Sequence, residues 1–193
     1  MALPLPKLTP EQYLAIEREA EYKSEYFKGE MYAMAGGTAN HSDLAGSLNA
    51  IFRNRLAGRN CKVFNSDMRV RTGADGLYTY PDVSVVCGPR IFADDEGDVL
   101  VNPKLIVEVL SKSTQANDRG YKFQEYKKIA SLEEYVLVSQ SEPLIERYWR
   151  APGGAWSAYA EARGLNAPLL LQSLGIEIPL AEIYRDIELE PTS

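Results

Sequence analysis

Two short apolar runs, Val83-Ser84-Val85-Val86-Cys87 and Leu105-Ile106-Val107-Glu108-Val109-Leu110, constrain this chain most. Near-continuous β-branched runs suit strands covered on both faces, so they predict the centre of a sheet with layers packed on either side. Each run is interrupted by an acid, Asp82 in Tyr80-Pro81-Asp82 at the head of the first and Glu108 inside the second. A carboxylate in such a place is costly unless it is paired, hydrogen-bonded or bound to a cation. If the two strands are neighbours, both acids converge at one spot.

The rest of the chain reads around that centre. Thr9-Pro10-Glu11-Gln12 is a capping box opening a helix to about Ala20. Tyr26 to Met34 is predicted as two short strands about a Lys28-Gly29 turn. His41 to Leu56 places Leu44, Leu48, Ile51, Phe52 and Leu56 on one helical face, with Arg53 and Arg55 near its C-terminus. Lys62 to Arg71 alternates as one half-buried strand, and Asp118 to Ala130 forms a second helix. Tyr135–Val138, Leu144–Trp149 and Trp156–Ala160 make a meander with a Pro152-Gly153-Gly154 turn, followed by a strand near Leu169 and a helix from Pro179 to Tyr184. The expected class is α/β (α+β), a mixed central sheet flanked by helices with additional antiparallel strands. At 193 residues, 1–193 is read as a single domain.

The charge of −6 and pI near 5.0 exclude a protein that holds nucleic acid by sheer basicity, while leaving room for a local basic surface, expected from Arg69, Arg71 and Arg119. Cys61 and Cys87 have no Cys-x-x-Cys spacing and are read as two reduced core thiols. No apolar run reaches the roughly 18 residues of a membrane span, and the N-terminal stretch lacks a secretory pattern, so a cytoplasmic protein without membrane contact is expected. P-loop, dinucleotide-binding, HExxH and GxSxG patterns are missing, which removes support for kinase, dehydrogenase, zinc protease and serine hydrolase chemistry.

What remains is hard-oxygen chemistry. Asp82 and Glu108 suit Mg²⁺ or Mn²⁺ better than zinc. Lys122, on the helix after the Glu108 strand, could aim an ammonium at the same place, orienting or deprotonating a water and offsetting charge in phosphodiester hydrolysis. The bland alternative is a solvated helix face. His41, the only histidine, is a candidate phosphate contact or proton donor, or simply a polar helix-start residue. Ser111-Lys112-Ser113-Thr114 is a polar loop able to meet a phosphate backbone.

Tyr80-Pro81-Asp82-Val83-Ser84-Val85, Pro103 to Ser111, then Asp118, Lys122, Tyr126 and Glu134-Tyr135 together resemble the Uma family of restriction-endonuclease-like proteins. The resemblance implies the PD-(D/E)XK nuclease fold, with Asp82 and Glu108 as the motif acids, a Mg²⁺ or Mn²⁺ ion, and cleavage of nucleic acid, DNA foremost. Where the motif lysine is expected, this chain has Leu110, and similar proteins carry the lysine on the next helix, here Lys122. An acid from an early element joins the metal site in related folds, which makes Glu30 a further candidate ligand. Nuclease folds that cut both strands work in pairs, and the aromatic meander around Tyr148, Trp149, Trp156 and Tyr159 adds to the expectation of a homodimer. The alternatives are a non-catalytic binding or assembly module on the same fold, or a hydrolase of single nucleotides.

Overall fold

The computed structural model describes residues 7–151 and 153–189. The lead-in before Lys7 and Pro152 of the expected turn lie outside the described residues.

A capping box at Thr9 opens helix α1 (Pro10–Glu19), as expected, and a hairpin follows of β1 (Ser24–Phe27) and β2 (Glu30–Ala33). Its turn puts both Lys28 (φ 48°) and Gly29 (φ 92°) in the left-handed region, the conformation a two-residue hairpin loop demands. Helix α2 (Ala39–Arg55) buries Leu44, Leu48, Ile51 and Phe52, each contributing about 1.5–3 kcal/mol on burial. Then come β3 (Cys61–Asn65), β4 (Arg69–Arg71), β5 (Tyr78–Thr79), β6 (Val83–Cys87), β7 (Val99–Leu100) and β8 (Leu105–Leu110). Two short helices, α3 (Gln115–Asn117) and α4 (Phe123–Tyr126), flank a π-helical stretch at Asp118–Lys122. The chain closes with β9 (Glu134–Ser139), β10 (Leu144–Arg150), β11 (Trp156–Arg163), β12 (Pro168–Leu171), β13 (Ile176–Pro179) and α5 (Leu180–Ile183).

The centre is a mixed six-stranded sheet in the order β11-β10-β9-β8-β6-β3, in which β8 runs antiparallel to β6 and parallel to β9. One face carries Val83, Val85, Leu105, Val107, Val109, Val136 and Val138 against α2 and α5. The other carries Val86, Ile106, Leu110, Tyr135 and Leu137 against α4 and residues Val70 and Leu100. Those two belong to a second sheet, β2-β1-β5-β4-β7, whose far side α1 covers with Tyr13 and Leu14. The near-continuous apolar runs are therefore buried on both faces.

Two sequence expectations need correction. The run Lys62 to Arg71 is two strands in different sheets, because Asn65 Oδ1 accepts the Asp67 amide at 3.2 Å and turns the chain between them. The cysteines are not thiols: antiparallel pairing of β3 with β6 sets Cys61 directly opposite Cys87, and they form a disulfide. Sequence spacing carries no information on that register. Tyr148 and Trp156 pack on Phe123, leaving Tyr159 as the exposed member of the meander aromatics. Among the described residues, no helix is long and apolar enough to cross a membrane.

Candidate active site

The register of β6 against β8 pairs Val83 with Val107, and one step further it sets Asp82 opposite Glu108. Strand side chains alternate between faces, so Asp82 joins Ser84 and Val86, and Glu108 joins Ile106 and Leu110, on the face turned towards α4. Both acids line a cleft of about 970 Å³, bordered by the β2–α2 connection, the Ser111–Thr114 loop and the segment after β9.

Asp82 is held by the Val109 amide, which donates to Oδ2 at 2.7 Å, and His41 Nε2 stands 3.3 Å from the same oxygen. That carboxylate raises the His41 pKa above its ordinary value, against the effect of burial. Glu108 is buried, and both of its hydrogen bonds end on Oε1, from Lys122 Nζ at 3.0 Å and the Tyr126 hydroxyl at 2.6 Å. Burial pushes its pKa up, the Lys122 ammonium pulls it back, and the nearby Asp82 and Asp118 add to the rise.

Lys122 is the hub. Its ammonium lies 3.1 Å from Glu25, 3.0 Å from Glu108 and 3.7 Å from Asp118. Burial alone would lower its pKa, and the three carboxylates outweigh that and raise it. Helical spacing gives the convergence. Residues 118, 122 and 126 are four apart, so they share the face turned towards β8 through both the π-helical stretch and α4. Tyr135 stabilises this winding by donating its hydroxyl to the Asp118 carbonyl at 3.0 Å.

Of the sequence candidates, the structure brings together Asp82, Glu108, Lys122 and His41. Glu30 is not brought to them: it sits at the turn end of the hairpin, exposed, accepting the Tyr32 hydroxyl at 2.7 Å, outside the cleft. The acid that the hairpin does deliver is Glu25, which also accepts the Thr79 hydroxyl. Asp118 is the second acid that sequence reasoning left without a role. The expected basic surface is also corrected, because Arg69 is buried against Tyr80 and Asp98, Arg71 stacks over Tyr78, and Arg119 is spent on Glu146.

Four carboxylates thus face one ammonium and one imidazole across the same cleft. Among the described residues no three His, Cys, Asp or Glu side chains form a ready-made metal cage. Asp82 and Glu108 nevertheless fit Mg²⁺ or Mn²⁺. Each keeps one oxygen without a protein donor among the described residues, and Mg²⁺ commonly takes one or two carboxylates while retaining several waters.

A solved structure described as a "putative nuclease belonging to DUF820" from Anabaena variabilis shares this fold, with a TM-score of 0.75 and 18% identity over 92% of this chain and 98% of that one. Two uncharacterized proteins of Synechocystis sp. are 40% identical over 186 residues, covering 95% of each chain, and 36% identical over 162 residues, covering 84% of this chain and 91% of the relative. Residues 10–181 match the family Uma2, described as "Putative restriction endonuclease", and the chain belongs to that family.

Proposed function

We propose that the protein hydrolyses phosphodiester bonds of nucleic acid, DNA foremost, with Mg²⁺ or Mn²⁺ held by Asp82 and Glu108. The supporting observation is the excess of carboxylates over cations around one cleft, centred on two acids that the sheet sets side by side. A divalent ion bound there supplies Lewis-acid charge and a more acidic water. Lys122, fixed by three carboxylates, offsets negative charge as it grows on the phosphorus, in the place left by Leu110. Tyr126 and the Val109 amide hold the two acids in position. His41 stands at the mouth, where it steadies Asp82 or gives a proton to the leaving oxygen. Cutting both strands of a duplex calls for two clefts, so we place the activity in a homodimer. Sedimentation as a monomer at micromolar concentration would remove the dimer.

Calorimetry with Mn²⁺ and a plasmid-nicking assay test the reading together. Wild type should bind the ion and nick DNA, and Asp82→Ala combined with Glu108→Ala should abolish both without changing the circular dichroism spectrum. Equal Mn²⁺ binding by the two proteins would sink the metal assignment. Nucleic-acid binding without cleavage by any divalent metal would favour the non-catalytic module.

A further inference from the structure

The cleft is poorly equipped to grip a polyanion. Its lining cations are Lys112, Arg119 and Lys122, and the last two are committed to Glu146 and to Glu25, Glu108 and Asp118. Lys112 alone stays uncommitted among the described residues lining it. A nucleic acid backbone needs its phosphates met elsewhere, since their neutralisation supplies most of non-specific affinity.

The sequence has one stretch suited to this. Between Asp43 and Asp67 the acidic chain carries no carboxylate, yet it holds Arg53, Arg55, Arg59 and Lys62. In the fold, three of these cations line one surface pocket of about 370 Å³, between the C-terminus of α2 and the start of edge strand β3, with no acid in its wall. Two are held in place by main-chain oxygens: Arg53 donates to the Val63 carbonyl at 2.9 Å, and Arg59 to the Leu174 carbonyl at 2.7 Å. Arg53 also gives its Nε–H to Asn49 Oδ1 at 2.8 Å, and the other N–H groups of these five-donor forks are left for an anion. Lys62 is exposed and has no partner among the described residues. Arg55 is turned away onto Glu182 at 2.6 Å and is no part of the pocket.

We infer that this pocket is a phosphate-binding site for the backbone of the nucleic acid whose scissile bond lies in the cleft, an inference that rests on the proposed function for its choice of polyanion. Helix α2 joins the two places, with His41 at the cleft and Leu56, just past its end, at the pocket. Its 17 residues span about 25 Å, equal to about seven base pairs at 3.4 Å per step. Only a substrate longer than that reaches both.

The test is fluorescence anisotropy of labelled 6- and 20-base-pair duplexes, with Ca²⁺ present, across a salt series, on wild type and on Arg59→Ala combined with Lys62→Ala. The double variant should bind the long duplex at least tenfold more weakly, with a log–log salt slope shallower by about 2, and should lose the preference for the long over the short duplex that wild type gains by reaching both places. Thermal melting establishes that the variant is folded. Unchanged affinity and slope for the long duplex would overturn the site, as would binding to phosphatidylserine vesicles with no oligonucleotide binding. Hydrolysis of bis-p-nitrophenyl phosphate by wild type with Mn²⁺ reports separately on the cleft, so loss of the pocket assignment leaves the proposed chemistry standing, and the reverse.

Discussion

Glu134 and Glu108 are both buried glutamates on the neighbouring parallel strands β9 and β8, and they live in opposite company. Glu134 is met on both oxygens, by Arg147 at 3.0 Å and the Gln172 amide at 2.9 Å on one, and by the Ser173 amide and hydroxyl on the other. It has one cation to itself and pins the β12–β13 connection to the sheet. Glu108 is met on one oxygen only and shares its single cation with Glu25 and Asp118. Glu17 shows that an unmet oxygen is not enough, since its Oε2 is buried without a partner yet lies away from the cleft, on the side of α1. The lesson is that excess like charge beside an open cleft marks a site prepared for a cation, whereas full hydrogen bonding marks a structural joint.

The largest expected effect breaks the joint. Glu134→Ala leaves Arg147 buried and unpaired, so it should cost about 3–5 kcal/mol and lower Tm by roughly 10 °C in thermal denaturation. Glu108→Gln should leave Tm unchanged or raise it, while weakening Mn²⁺ binding in calorimetry by tenfold or more. A large loss of stability in Glu108→Gln with unaltered Mn²⁺ affinity would erase the contrast.

Lys122 and Lys127 sharpen it next. Lys122→Ala should lower cleavage on the order of a hundredfold, with Mn²⁺ binding retained, because the lysine touches the acids and is no ligand. Lys127, whose ammonium lies over the Phe123 ring, should be replaceable with less than a twofold change. Equal rates for the two alanine variants would refute the role given to Lys122.

His41 gives a smaller effect, readable by NMR because it is the only histidine. In metal-free protein its pKa should exceed the ordinary value of about 6.5, with Asp82, Glu108 and Asp118 as the charges that face it. A raised folded-state pKa stabilises the fold below about 6.5, and that contribution fades as pH climbs through the folded value. Asp82→Asn, or saturating Mg²⁺, should bring the titration back down. The smallest effect is Glu30→Ala, whose cleavage rate should stay within twofold of wild type, against roughly tenfold loss in Glu25→Gln, which removes a charge from Lys122.

How much was legible follows from which residues broke a pattern. Asp82 and Glu108 stood out because each interrupts an apolar run, and α2 because its buried face repeats cleanly. Glu25 interrupts nothing: it lies in a short mixed hairpin where Glu30 looks equally eligible. Pairing of Glu25 with Tyr32 and Phe27 with Glu30 puts both acids on one face, and only distance along the strands leaves Glu30 beyond the cleft. The Cys61–Cys87 bond and the split of Lys62 to Arg71 both depend on strand register, which no local spacing records. Lys122 was visible as a candidate, and Asp118 was within reach too, since positions four apart share a helical face; what no local spacing records is that Glu25 of the hairpin completes the group.

The wide turn at Asp118–Lys122 takes up one residue more than an α-helical path needs, so chain length can change there while the flanking parts of the helix keep their orientation. Deleting Gly120 would let the backbone close to ordinary α geometry and bring Asp118 from four residues before Lys122 to three, a spacing that still shares one helical face. The centre would then keep its acids and its lysine turned towards β8. A relative with a one-residue gap here is expected to retain the arrangement, whereas the same gap within α4 would turn Tyr126 away from Glu108 by about 100°.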